Sequence, residues 1–152
     1  NEVGCWQVLS HSDKVIIASH SNARDLFNHP RNLRVDQIEA IAKSGGLIGL
    51  VPYFSKVDPL EPAKVRLDDD ATESIDDYIK HVEYIVDLVG YDYVAFGFDF
   101  NSYLGDFGVK GIEDAEKIKD VIALLLSRGH KKEDVEKISG KNLLRVFGNI
   151  FR

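Results

Sequence analysis

Three side chains in this sequence have the type and the setting to do chemistry: His20, Arg31 and Asp99. His20 closes the run Val15-Ile16-Ile17-Ala18-Ser19 and is followed by Ser21-Asn22-Ala23-Arg24, so an apolar, β-branched stretch delivers one imidazole among small polar residues. Such an imidazole is a good zinc ligand. Asp99 stands between Phe98 and Phe100 near the end of another apolar run. A carboxylate beside metal-activated water is a natural proton acceptor, and in aromatic surroundings its charged form needs a metal, an arginine or hydrogen bonds. Arg31, in His29-Pro30-Arg31-Asn32, carries a planar fork of donors that grips a carboxylate through two parallel hydrogen bonds, which suits it to an acidic substrate group. Each has a plain structural alternative, since buried histidine and aspartate also tie down loops and an arginine can pin one.

The other titratable groups carry less. His29 adjoins its proline and reads as structural, and His81 falls at the edge of an apolar helical stripe, where packing is expected. His11 precedes a strand and His130 follows a helix stop, on the opposite end of the fold from His20. Ser10, Ser19 and Ser21 flank histidines, but the sequence holds no Gly-x-Ser-x-Gly elbow and no glycine-rich phosphate loop. Asp68-Asp69-Asp70 invites a metal; a solvated acidic run ahead of a helix N-terminus, where the helix dipole favours negative charge, is the blander account.

Delivering His20 and Asp99 requires strands that end there. Three short runs, at 15–19, 46–53 and 93–100, are nearly continuous in apolar residues, as in parallel strands buried on both faces. Between them lie helical patterns. Ile38, Ile41 and Ala42 form a stripe that stops at Gly45-Gly46. Thr72 is a candidate N-cap for a helix with Ile75, Ile79, Val82, Val86 and Val89 on one face, with Glu73, Asp76 and Asp77 in its first turn. A third helix over 112–128 carries Ala115, Ile118, Ile122, Leu125 and Leu126, and two short helices at 132–139 and 141–151 hinge at Gly140. The order β-α-β-α-β-α-α predicts an α/β fold with right-handed crossovers. Three parallel strands make a poor sheet, whereas a (β/α)8 barrel takes about 250 residues and builds its sites at the C-terminal ends of its strands. The expectation is one partial domain over 1–152, a piece of such a barrel. The opening residues read as the tail of a helix, and the lack of any methionine agrees with an excised piece. The connections at 54–71 and 101–111 are long enough to be functional.

Composition narrows the classes. Hydrophobic residues make up 44% and charged residues 29%, which is globular. With a formal charge of −6 and no basic stripe, nucleic acid is disfavoured as a partner. One cysteine, Cys5, excludes an intrachain disulfide framework and a cysteine-based zinc site; it fits a reducing compartment, and a cytoplasmic location is the expectation. No apolar run reaches the roughly 18–20 residues of a transmembrane segment.

The segments Ile17-Ala18-Ser19-His20-Ser21-Asn22-Ala23-Arg24, His29-Pro30-Arg31-Asn32-Leu33, Gly97-Phe98-Asp99-Phe100 and Asn142-Leu143-Leu144-Arg145-Val146-Phe147 together resemble the renal (membrane) dipeptidase family, metallopeptidase family M19, over nearly the whole chain. The resemblance implies the last three β/α units of a metal-dependent-hydrolase-type (β/α)8 (TIM) barrel, closed by the two short helices. It implies a two-zinc site that hydrolyses dipeptides with a metal-bridged hydroxide. His20 would ligate zinc, Arg31 would bind the substrate's C-terminal carboxylate, Asp99 would shuttle the proton, and Tyr53 would wall the pocket.

Two departures bear on specificity and capping: Asn101-Ser102 stands where the family continues Asp-Gly, and Arg34-Val35 where it commonly has Thr-Asp. The family's other metal ligands come from earlier strands, and nothing before Val15 supplies them. The partner expected is therefore the N-terminal part of the same barrel, without which this chain is expected to be inactive. The alternatives are another amide- or lactone-hydrolysing enzyme of the same class, or a non-catalytic half-barrel whose exposed first strand seeks a partner or a second copy in a homo-oligomer.

Overall fold

The computed structural model describes residues 2–53, 56–57, 65–66, 74–100 and 109–150. The opening residues, expected as the tail of a helix, form the ten-residue helix α1 (Glu2–His11). β1 (Ile17–Ala18) then leads through the loop that holds Arg31 to α2 (Val35–Lys43), β2 (Leu47–Leu50), α3 (Ile75–Val89) and, past a 3-10 turn, strand Val94–Phe96. A further pair, β3 (Lys56–Val57) and β4 (Val65–Arg66), pairs antiparallel inside the connection after β2, so Val94–Phe96 is β5. Two-residue strands leave no periodic trace in a sequence, which is why that connection reads as plain loop. Helices α4 (Ile118–Ser127), α5 (Lys132–Glu136) and α6 (Asn142–Ile150) complete the chain.

The central sheet has the order β1-β2-β5 and is parallel throughout, with Ile17 opposite Leu47 and Gly49 opposite Ala95. The strands are shorter than the apolar runs that announce them, and past the end of β5 the Gly97 N–H still bonds Leu50 O at 2.8 Å. One face of the sheet, with Ile48, Leu50, Val94 and Phe98, packs on Ile38 and Ile41 of α2 and on Tyr78, Ile79, Val82 and Ile85 of α3. Apolar burial of this kind contributes about 25 cal/mol per Å2.

Helix faces and ends differ from expectation in places. The buried side of α3 includes Tyr78, His81 and Ile85, while Ile75 and Val89 lie at its margin. Its cap is Ser74, locked by a reciprocal box with Asp77, whose carboxylate accepts the Ser74 N–H at 2.9 Å; Thr72, Glu73 and Asp68–Asp70 lie outside the described residues. The third helix begins at Ile118, behind a 3-10 turn capped by Asp114. That start turns Val121 and Leu125 inward and leaves Leu126 41% exposed. The two short helices merge through a wider turn over Lys137–Lys141, in which Gly140 leaves helical geometry.

α6 is tied to the starts of the strands. Asn142 donates through Nδ2 to the carbonyls of Tyr91 (2.7 Å) and Val94 (2.8 Å), and Arg145 donates to Asp92 O (2.7 Å) and Gly45 O (3.4 Å). No described helix is long and apolar enough to cross a membrane.

Candidate active site at the strand tips

The site starts where β1 leaves the sheet. Beyond Ala18 the backbone of Ser19 lies over the strands beside it: a Cβ on Gly49 of β2, or on Gly97 just past β5, would collide with the Ser19 carbonyl oxygen. Only glycine admits a backbone this closely, and the Ser21 N–H then bonds Gly49 O at 2.8 Å. His20 is held between those two residues. Ser19 Oγ lies 2.7 Å from His20 Nδ1, and Arg31 Nη2 lies 2.9 Å from His20 Nε2. A guanidinium only donates, so Nε2 is the acceptor and the Nδ1–H donates to Ser19. The lone pair that could ligate a metal therefore sits on Nε2, with the second nitrogen fixed by a neighbour, as metal-binding histidines generally require.

The loop that carries Arg31 is pinned at several points. Asn22, fully buried, donates to Val51 O at 2.8 Å and accepts the Val51 N–H at 3.2 Å, stitching the tip of β1 to the tip of β2. Asn32 accepts the Asn22 N–H at 3.2 Å and donates to Phe27 O at 2.8 Å. Arg24 donates to the carbonyls of His29 (3.3 Å) and Pro30 (3.1 Å). His81 accepts the Ala23 N–H through Nδ1 at 3.2 Å. Burial pushes its pKa down to about 4 against the opposing pull of Asp77, so it acts as a neutral acceptor. His81 is thus buried as its place beside an apolar stripe leads one to expect, and from α3 it also reaches the loop behind His20.

Tyr53 and Asp99 follow the ends of β2 and β5. In a parallel sheet that puts both on the end that carries His20 and Arg31. Asp99 is exposed and adopts φ 49°, in the left-handed region that aspartate enters more readily than most residues with a Cβ. Its neighbours Phe98 and Phe100 stack at 5.2 Å and 13°. An open groove of about 560 Å3 runs beside β1, lined by Ile17, Ser19, His20, Arg24, Arg31 and Gln37 among others. Asn101 and Ser102 lie outside the described residues.

His20 and Arg31 thus meet directly, and Asp99 and Tyr53 share their end of the sheet. The sequence had not singled out Ser19, Asn22, Gly49, Gly97 and His81 for the site. Asn22 within Ser-Asn-Ala, and glycines inside apolar strands, are the signals that could have found them. His20 fits one position in a zinc shell by chemistry and orientation. Among the described residues no group of three or more His, Cys, Asp or Glu comes together as a metal cluster.

Comparisons with known proteins agree on a family. The model of the membrane dipeptidases, peptidase family M19, matches residues 2–151. The chain is 32% identical over 135 residues to the dipeptidase aclJ of Aspergillus oryzae, covering 89% of this chain and 30% of that protein. It is 30% identical over 160 residues to an uncharacterized protein in the pqqA 5' region of Klebsiella pneumoniae, covering 100% and 53%. Among solved structures, the probable dipeptidase PvdM from Pseudomonas aeruginosa superposes with a TM-score of 0.82 at 25% identity, covering 96% of this chain and 47% of that one. A metallopeptidase from Rhodobacter sphaeroides, liganded with a phosphinate mimic of the dipeptide L-Ala-D-Ala, gives 0.78 at 26% identity, covering 97% and 40%. The chain spans between about a third and about a half of these relatives. With a parallel α/β sheet and His20, Arg31 and Asp99 gathered at its tips, the chain belongs to the membrane dipeptidase family, peptidase family M19.

Proposed function

We propose that residues 1–152 form a single partial domain, the last three β/α units of a (β/α)8 barrel whose two-zinc site hydrolyses dipeptides. The observation that carries this is the contact between His20 Nε2 and Arg31 Nη2 at 2.9 Å: a nitrogen suited to zinc and a guanidinium suited to a carboxylate stand within one hydrogen bond. A free carboxylate close to the scissile bond is what distinguishes a dipeptide from a longer peptide.

Zinc, when bound, supplies Lewis acidity and an activated water. Ser19 holds His20 Nδ1, so that Nε2 would be the nitrogen offered to a metal. Arg31 leaves Nε2 to take the substrate carboxylate through two hydrogen bonds. Asp99 accepts a proton as water attacks the carbonyl and returns it to the departing amine. Tyr53 walls the pocket at the end of β2. The other ligands come from the N-terminal part of the barrel, and the chain by itself is inactive.

The test is made on the complete, metal-loaded protein. His20→Ala is expected to lower bound zinc and to cut dipeptide hydrolysis more than about a hundredfold, since even partners of a metal ligand are worth ten- to a hundredfold. Hydrolysis indifferent both to a chelator and to this substitution overturns the proposal.

A further inference from the structure

Arg31 is long and exposed, so its own side chain does little to aim it. The backbone that carries it is held instead, and the His29 side chain bonds the Arg31 N–H itself. The His29 ring is stacked on Phe27, with centroids 6.2 Å apart and planes at 14°, and only 7% of the residue is exposed. Its Nδ1 accepts the Arg31 backbone N–H at 3.1 Å. That bond fixes the tautomer: with the lone pair on Nδ1, the proton of the neutral ring is on Nε2.

Nε2 is buried and has no hydrogen-bond partner among the described residues. A buried donor without a partner is a cost that packing alone does not explain, because an apolar residue would fill the same space without it. Burial first, then the charges of Arg31 and Arg24, hold the His29 pKa below its ordinary value, which keeps the Nδ1 lone pair available. Around this bond, the Asn32 N–H donates to His29 O at 2.9 Å, and Arg24 takes the carbonyls of His29 and Pro30. The chain is therefore clamped on both sides of Arg31, and its guanidinium moves only by its own side-chain torsions.

We propose that His29 is a positioning residue for Arg31: its Nε2–H tautomer accepts the Arg31 backbone N–H and sets where the guanidinium reaches beside His20. The inference rests on Arg31 being the anchor for a substrate carboxylate.

The experiment uses the complete, metal-loaded protein and calorimetric binding of a phosphinate dipeptide mimic, with either a free C-terminal carboxylate or a C-terminal amide. His29→Ala is expected to weaken the carboxylate form about ten- to a hundredfold, the penalty of a misplaced binding group, and to leave the amide form unchanged. His29→Asn, whose Oδ1 stands where Nδ1 was, is expected to restore most of the loss, which a packing role would not produce. Nitrogen NMR of the unmodified protein is expected to show His29 protonated on Nε2 alone. Equal weakening of both ligands, no rescue by His29→Asn, or the opposite tautomer overturns the proposal. Should Arg31→Ala itself leave the carboxylate preference intact, the anchor reading falls and the His29 assignment with it. A preference lost in Arg31→Ala but kept in His29→Ala removes His29 alone.

Discussion

His81 shows how a single buried imidazole can make the site sensitive to acid. It is 3% exposed, and its Nδ1 takes the Ala23 N–H only while the ring is neutral. With a folded pKa near 4 against an ordinary 6.5, the unfolded chain takes up this proton first as pH falls. The contribution is fully present above about pH 6.5 and is lost as pH drops toward about 4, a range worth on the order of 3 kcal/mol. Urea unfolding between pH 7 and 4.5 is expected to show that loss. His81→Asn, which keeps an acceptor near Ala23 without a titrating ring, is expected to flatten this part of the slope; an unchanged slope would remove His81 from the account. The same residue marks what a sequence cannot give. Its place beside an apolar stripe pointed to packing, and packing is correct. The hydrogen bond to Ala23, 58 positions away, exists only once α3 has docked.

At the scale of elements, α6 acts on strands it does not extend. Asn142 serves two carbonyls, those of Tyr91 and Val94, with one buried amide group. Asn142→Ala leaves both unmade, and a fall in unfolding free energy of about 2 kcal/mol is expected, measured as a lower urea midpoint. A drop under a few tenths would mean that water replaces the amide freely. The parallel sheet, its order and most helix stripes were legible, because long apolar runs alternating with 3.6-residue periodicity leave few other folds. Helix starts at Ser74 and Ile118 were less so, since several polar residues precede each apolar stripe and the cap is chosen by local geometry. His20 and Arg31 were visible as types and spacing. Their 2.9 Å contact was not, for it depends on the pinning of Asn22, Asn32 and Arg24.

On the whole molecule, part of the exposed apolar surface lies in α1 and just ahead of β1, and another part on α6, where Leu144 is 74% exposed. Val3 is 68% exposed and Val8 54%, with Trp6 and Val15 also open, and no described strand pairs with β1 beyond β2. An open strand edge beside apolar surface invites pairing. The chain expressed alone is expected to sediment as associated species and to bind zinc weakly. Co-expression with the N-terminal part of the barrel is expected to give a single complex with tight zinc. A well-behaved zinc-binding monomer would count against the partial-barrel proposal.

The close approach of Ser19 to Gly49 and Gly97 has a bearing on how such a protein can diversify. Main chain forms the floor beneath His20, and main chain offers no side chain to exchange. Any larger residue at Gly49 or Gly97 would shift the imidazole before it could touch a new substrate. Under the proposed function, preference for one small peptide over another must then come from side chains, such as Arg31, while this floor stays fixed. A saturation library aimed at the two glycines should yield only losses, whereas one at exposed Arg31 should yield altered preferences.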